Sequence, residues 1–323
     1  MTHVLVIGAA GMLGRKLVEK LTATGRIAGQ DITRMTLADV VAPAAPEGIA
    51  IPVSCVAADL SDPGVATELV AHRPGHIFHL AAIVSGEAEV EFDKGYRINM
   101  HGTLALLEAV RQADYCPRIV YASSIAVFGA PFPDAIPDTF HTTPLTSYGA
   151  QKAIGELLLA DYTRKGFCDG IGIRLPTIVV RPGKPNKAAS GFFSGIIREP
   201  LDGNVAILPV QMSVKHWMAS PRAAVGFLEH AAGLDGAALG ARRTLTMPGL
   251  AVTVGEEIDA LREIAGQEHV DLIRFQPDEA IARIVAGWPR AFDAARATEL
   301  GFVADESFLA IVRAYIEDER IRI

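Results

Sequence analysis

The chain has 323 residues, half of them hydrophobic, with 37 Asp and Glu against 30 Lys and Arg and a net charge of −7. That acidity disfavours nucleic acid or an anionic membrane as a partner, since polyanions are held mainly by lysine and arginine. Three cysteines, none in a C-x-x-C, make no disulfide framework and suit structural thiols in a reducing compartment.

Val4-Leu5-Val6-Ile7 is an apolar run too short for a helix and rich in β-branched residues, which predicts a fully buried strand. It leads into Gly8-Ala9-Ala10-Gly11-Met12-Leu13-Gly14, after which Arg15 to Leu21 reads as an amphipathic helix. Strand, glycine-rich turn and helix N-terminus together form an anion cradle. Gly8, Gly11 and Gly14 let the backbone N–H groups of the turn, through Met12 and Leu13, approach a pyrophosphate whose charge the helix dipole favours. The spacing is G-x-x-G-x-x-G rather than the commoner G-x-G-x-x-G, and the competing reading is a tight turn without a ligand. Asp39 ends a second short strand, Met35–Asp39, where a carboxylate would accept from adenosine ribose hydroxyls and repel a 2′-phosphate. This favours NAD over NADP.

A Pro/Ala-rich connector precedes a third strand at Ile51–Val56, and Ser61-Asp62-Pro63 predicts a helix start capped by Asp62. His76–Leu80 is a fourth strand, a long helical pattern runs from about Glu87 to Ala113, and Arg118–Ala122 is a fifth strand ending at Ser123-Ser124. A loop rich in proline, glycine and threonine, from Phe128 to Ser147, can cover a pocket. A helix over 147–165 and a strand over Asp169–Val180 follow. Such alternation predicts a doubly wound parallel sheet. From about Arg181 it fades into a smaller mixed lobe, so the expected division is 1–180 and 181–323, with some later segments returning to the first unit. Thr253-Val-Gly-Glu256 is a capping box for a helix to about Ala265, and a last helix covers about 305–319. No basic leader precedes the first apolar run, and no apolar stretch nears the roughly 18 residues that span a bilayer, so a cytoplasmic protein is expected.

Tyr148 and Lys152, four apart on the 147–165 helix, share one face. A phenol with its ordinary pKa of about 10 is a poor base near neutrality, and a neighbouring ammonium would lower it. The pair can then take a proton from an alcohol, with Ser124 at the end of strand five orienting the reacting oxygen. The nine histidines form no Cys/His cluster at ligand spacing, so no metal is expected. No G-x-S-x-G elbow points to a hydrolase.

Taken together, these residues resemble the extended short-chain dehydrogenase/reductase family, which includes nucleotide-sugar epimerases and dehydratases. The resemblance rests on Gly8, Gly11 and Gly14, on Asp59-Leu60, on His79-Leu80-Ala81-Ala82, on Asn99, and on Ser124 in the stretch through Gly129. Tyr148 with Lys152, and Asp293 through Leu300-Gly301-Phe302, complete it. It covers nearly the whole chain. It implies an α/β fold, a Rossmann-type doubly wound parallel sheet with a smaller mixed C-terminal substrate-binding lobe. It further implies Ser124, Tyr148 and Lys152 as catalytic residues and a homodimer built through a two-fold helix bundle. NAD would be held by Gly8, Gly11, Met12, Leu13, Gly14, Asp39, Asp59, Leu60, Leu80, Ala81, Ala82, Asn99, Tyr148, Lys152 and Thr177.

Finer likeness, in Ile83–Glu89, Arg174–Thr177, Arg181–Ser190, Gly195–Pro200 and Ser220–Ala224, is to the D-erythronate dehydrogenase subgroup. That subgroup uses NAD to oxidise the C2 hydroxyl of a four-carbon sugar acid. Ser85, Ser124, Tyr148, Arg181, Asn186 and Lys187 are the expected substrate residues, with Lys184 in the same basic loop and Lys215-His216-Trp217 as a further wall. Two alternatives stand beside this. An epimerase shares the fold and the trio but leaves NAD unchanged overall; dehydration is disfavoured because Ile125 and Ala126 stand where elimination needs carboxylates. A catalytically silent NAD-binding protein is disfavoured because Tyr148 and Lys152 are both present.

Overall fold

The structure, a computed structural model, describes residues 1–183 and 189–322. Strands β1 (Thr2–Ile7), β2 (Gln30–Asp39), β3 (Val53–Ala57), β4 (His76–His79), β5 (Arg118–Ser124), β6 (Asp169–Leu175) and β7 (Thr244–Thr246) run parallel in the order β7-β6-β5-β4-β1-β2-β3. Arg26–Ile27 adds an antiparallel edge piece beside the start of β2, making eight strands. The fold is the Rossmann-type doubly wound sheet. Strand order reverses between β1 and β4, so the crevice at their C-terminal ends is where such a sheet takes its ligand.

Alternation along each strand decides which layer it feeds. Val4 and Val6 of β1, Phe78 of β4 and Val120 of β5 face α1 (Met12–Thr24) and α6 (Pro221–Gly233), meeting Leu17, Leu21, Phe227 and Leu228. Leu5, Ile7, Ile77 and Ile119 face the other way, onto α2 (Val65–Val70), α3 (Gly102–Gln112) and α4 (Ser147–Arg164). Each such side chain, fully withdrawn from water, contributes about 1.5–3 kcal/mol. Two covered faces leave no room for polar alternation, which is why β1 reads as one apolar run.

The chain leaves this sheet at Pro176, which has no N–H to continue the β6 ladder. Thr177–Ile178 pairs instead with Lys215–Ala219, itself antiparallel to Leu250–Thr253. The expected strand over Asp169–Val180 is therefore two strands in two sheets. Helices α5 (Gly191–Leu201), α7 (Val254–Ala265) and α8 (Phe308–Glu319) build a second core around Phe193, Ile197, Leu261 and Ile311. Meanwhile α6, β7, Ala297 and Phe302 pack into the first core. Among the described residues, no helix is long and apolar enough to cross a membrane.

Three local expectations are corrected. The helix expected over 87–113 is broken into Ser85–Val90, Phe92–Gly95, a π-helical turn Tyr96–His101 and α3. It bends where it presses on α4: a Cβ on Gly95 would lie 2.7 Å from Gln151 Nε2. Asp62 caps no helix, because Ser61 turns back to donate to Asp59 and the next helix starts after Gly64. Two of the three thiols expected to be structural, Cys55 and Cys116, are exposed, and Cys168 alone is buried. The capping box at Thr253 and Glu256 forms as expected, with both reciprocal hydrogen bonds made.

Candidate active site

The crevice is built where β1 and β4 part. Gly8 has φ +93°, and a Cβ there would sit 2.6 Å from Ala81 N, so only glycine lets the turn after β1 touch the segment after β4. A Cβ on Gly14 would strike the Gly8 carbonyl, which keeps the first turn of α1 close against the loop. Gly11 caps α1 with no side chain, and the amides of Met12, Leu13 and Gly14 open the helix without carbonyls behind them in its own spiral. Leu80 N and Ala81 N both donate to the Ile7 carbonyl, at 2.8 and 3.0 Å, and Ala82 follows half-buried.

Asp39, at the end of β2, accepts from Ala10 N at 2.9 Å and Val40 N at 2.7 Å. The carboxylate thus stands over the glycine turn. Asp59 accepts from Ser61 N, Ser61 Oγ and Arg97 Nη1 at 2.9, 2.6 and 2.8 Å. Partial burial pushes its carboxyl up, but the bonds from Ser61 and Arg97 outweigh that and hold it below the ordinary value. Leu60 is buried against Gly102 at the start of α3. A bare helix N-terminus, a cradle that a Cβ would fill and a carboxylate at the end of β2 fit a dinucleotide.

Helix α4 carries Tyr148 and Lys152. Thr146 caps it by accepting from Gly149 N at 3.1 Å, and Glu89 accepts from Ser147 N at 2.9 Å, fixing the start of α4 beside the helix that Ser85 opens. Gly149 lies against the Ala126 carbonyl, with no space for a Cβ. Tyr148 is thereby set, half-buried, next to Ser124. Ser124 Oγ also accepts from Ala126 N at 3.1 Å.

Lys152 is 2% exposed and donates to the Ala122 carbonyl at 2.8 Å. Its ammonium lies 4.8 Å from the centre of the Tyr121 ring and 5.8 Å from that of Tyr148. Burial pulls Lys152 down to about 8, against the charge of Glu156, which raises it. The expected lowering of the Tyr148 phenol by Lys152 is corrected: burial pushes that phenol up to about 12, and the neighbouring Ser124 offsets only part of this. Desolvation is the dominant cause, because taking the oxygen out of water disfavours its charged form.

Asn99, 1% exposed, accepts from Ile83 N at 2.9 Å and donates to the Ile83 carbonyl and to Gln151 Oε1, at 3.2 and 2.7 Å. It ties the stretch after β4 to α4. Thr103 donates to the Asn99 carbonyl at 2.7 Å, so His79 Nε2, 2.8 Å away, must donate to Thr103. His79 Nδ1 then has no partner among the described residues and is a buried acceptor, and burial with the nearby Lys152 charge keeps the ring neutral, down to about 3.

On the lobe side, Thr177 Oγ1 lies 2.6 Å from His216 Nε2, whose Nδ1 is 2.9 Å from the Pro289 carbonyl. His216 and Trp217 are buried while Lys215 is exposed, so that stretch is a packed strand with one polar end. Arg181 is half-buried; its N–H donates to Ser194 Oγ at 3.1 Å, and Nη2 reaches Ser190 Oγ at 3.4 Å. Among the described residues no carboxylate pairs with it, whereas neighbouring Arg198 is paired to Glu199. Lys184, Asn186 and Lys187 lie outside the described residues. Sequence reasoning missed Glu156, Arg174, Gln151 and Thr103; Glu156 could have been found, since it continues the four-residue spacing of Tyr148 and Lys152.

Residues 4–218 match the model of the NAD dependent epimerase/dehydratase family, and the chain belongs to that family. The cofactor of the family is NAD. Over 320 residues, covering 98% of both chains, it is 47% identical to a D-erythronate dehydrogenase of Cupriavidus necator. It is 41% identical to a D-erythronate dehydrogenase of Haemophilus influenzae over 97% of this chain and 98% of that one. A crystal structure described as a nucleoside-diphosphate-sugar epimerase from Agrobacterium tumefaciens superposes with TM-score 0.97 at 60% identity, covering 99% of this chain and 94% of the other.

Proposed function

We propose that the protein is an NAD-dependent dehydrogenase that oxidises the C2 hydroxyl of a small sugar acid, D-erythronate being the substrate, to 2-oxo-D-erythronate. The observation that carries this is the meeting of Tyr148, Ser124 and Lys152 at the C-terminal edge of a dinucleotide-binding sheet, in a chain nearly half identical to a curated D-erythronate dehydrogenase.

When bound, NAD would supply the hydride acceptor and a positive charge. Gly8, Gly11, Met12, Leu13 and Gly14 would hold its pyrophosphate and Asp39 its adenosine ribose, with Asp59, Leu60 and the Leu80–Ala82 stretch lining the rest. Tyr148 takes the hydroxyl proton as base. Ser124 donates to or accepts from the reacting oxygen and so orients it. Lys152 keeps a positive charge beneath the site and favours the phenolate. Asn99 sets the Ile83 backbone and α4 relative to each other. Arg181, a half-buried cation with no acid partner among the described residues, suits the substrate carboxylate, with Ser85 on the opposite wall. A homodimer is part of the proposal, and Leu157, 71% exposed on α4, lies on the helix that would meet its symmetry mate.

Purified protein incubated with NAD and D-erythronate should accumulate NADH in step with a 2-oxo acid. A chain acting as an epimerase would interconvert sugar stereoisomers with no net NADH. Turnover of another aldonate but not D-erythronate would replace the substrate and leave the chemistry.

A further inference from the structure

Helix α4 is fastened to β5 by two side chains one turn apart. Lys152 donates to the Ala122 carbonyl at 2.8 Å, and Glu156 accepts from Ser123 Oγ at 2.5 Å, with Tyr148 one turn further on beside Ser124. Glu156 is 6% exposed and has a second partner: Arg174 of β6 reaches it with Nε at 2.9 Å and Nη2 at 2.7 Å. Ser123 and Arg174 are register partners across β5 and β6, so the ion pair spans the joint between these strands, one residue before Ser124 and Leu175. Arg174 is itself buried and lies over the Phe128 ring at 4.8 Å. A buried ion pair of this kind adds little net stability over apolar packing. Its position one helical turn below Lys152 suggests a role other than adhesion.

We infer that Glu156 is a positioning residue for the reaction, a buried anion that holds Lys152 in its charged form and that Arg174 tempers. The groups facing Lys152 are few. Its own helix brings Tyr148 and Glu156, β4 brings His79, and β5 brings Tyr121. The π-helical turn brings Asn99 with its amide spent on Ile83 and Gln151, while Arg97 turns away to Asp59. The turn 125–127 brings apolar side chains. His79 is neutral and the buried Tyr121 phenol keeps its proton, so among the described residues the anion near Lys152, apart from the Tyr148 phenolate itself, is Glu156. Burial works against the ammonium, and the Glu156 carboxylate opposes that. Arg174 neutralises part of the carboxylate, so the balance of the two sets how far into alkali Lys152 stays charged.

This rests on Tyr148 and Lys152 acting as proposed, and the test separates the two. The pH dependence of kcat for NADH formation is measured in the wild type, Glu156→Gln, Glu156→Asp and Arg174→Met, with circular dichroism to confirm folding. Glu156→Gln should move the alkaline limb to lower pH by roughly one unit, and Arg174→Met should move it higher. Glu156→Asp, which keeps the charge, should restore the limb. Damage to packing would lower kcat in both variants with the limb fixed or moved the same way, and that result overturns the inference. Should either variant not fold, Ser123→Ala removes one hydrogen bond from Glu156 and leaves its charge less screened; the limb should rise, and an unmoved limb overturns the inference. A wild type that forms no NADH from any aldonate would instead overturn the functional reading.

Discussion

The Lys152 ammonium lies 5.8 Å from the centre of the Tyr148 ring and gives its hydrogen bond to the Ala122 carbonyl. The two side chains therefore share a pocket without sharing a proton. Any effect of the lysine on the phenol, as proposed, runs through space rather than through a hydrogen bond. Burial alone leaves the phenol a poor base, so the role proposed for Tyr148 needs positive charge placed near it.

Asp39 accepts from both the glycine turn and its own strand end. Asp39→Ala should weaken NAD binding about 10- to 100-fold, the loss of one or two hydrogen bonds to a charged acceptor, and should narrow the preference over NADP. Titration calorimetry reads both. Unchanged affinity would remove Asp39 from the ribose site.

Among the three buried histidines, two are strongly lowered and should make the fold acid-sensitive. His79 and His216 are held down to about 3 and about 4, each by burial, against an ordinary 6.5. Below pH 6.5 the unfolded chain takes up protons that the folded rings refuse, so stability is lost as pH falls towards the folded values, at roughly 1.4 kcal/mol per unit for each ring. Urea midpoints measured from pH 7 down to about 4.5 should decline along that slope, and His216→Gln should flatten it. An equal slope in the variant would contradict the assignment.

Glu257 sits on α7 with no exposed surface and neither carboxyl oxygen bonded among the described residues. Burial raises its pKa well above 4.5. The folded state keeps a proton that the unfolded chain releases above 4.5, so this group erodes stability as pH rises from there through its folded value. Glu257→Met should stabilise the protein at neutral pH by about 1–3 kcal/mol, read by chemical denaturation. A destabilised variant would point to a partner that the carboxyl meets in the working enzyme.

The Rossmann half was legible because it is built from strong local signals. Val4–Ile7 is apolar on both faces, the glycines stand where backbones must touch, and Tyr148 and Lys152 repeat at helical spacing. What escaped was tertiary. Nothing local marks Tyr96–His101 as a π-helical turn; contact with Gln151 across the helix pair makes it one. Pro176 hints at a strand break, but its partner strand lies some forty residues on. The upward shift of the Tyr148 phenol depends on how much protein surrounds one oxygen, a quantity that residue spacing does not carry.

The most direct test is Tyr148→Phe, which deletes one oxygen and keeps the ring. NADH formation from D-erythronate should fall by a factor of about 10² or more, while NAD affinity by calorimetry stays within about two- to threefold of wild type, since the pyrophosphate cradle is untouched. A variant that binds NAD normally and still turns over at the wild-type rate would contradict the account, because another group would then be taking the proton.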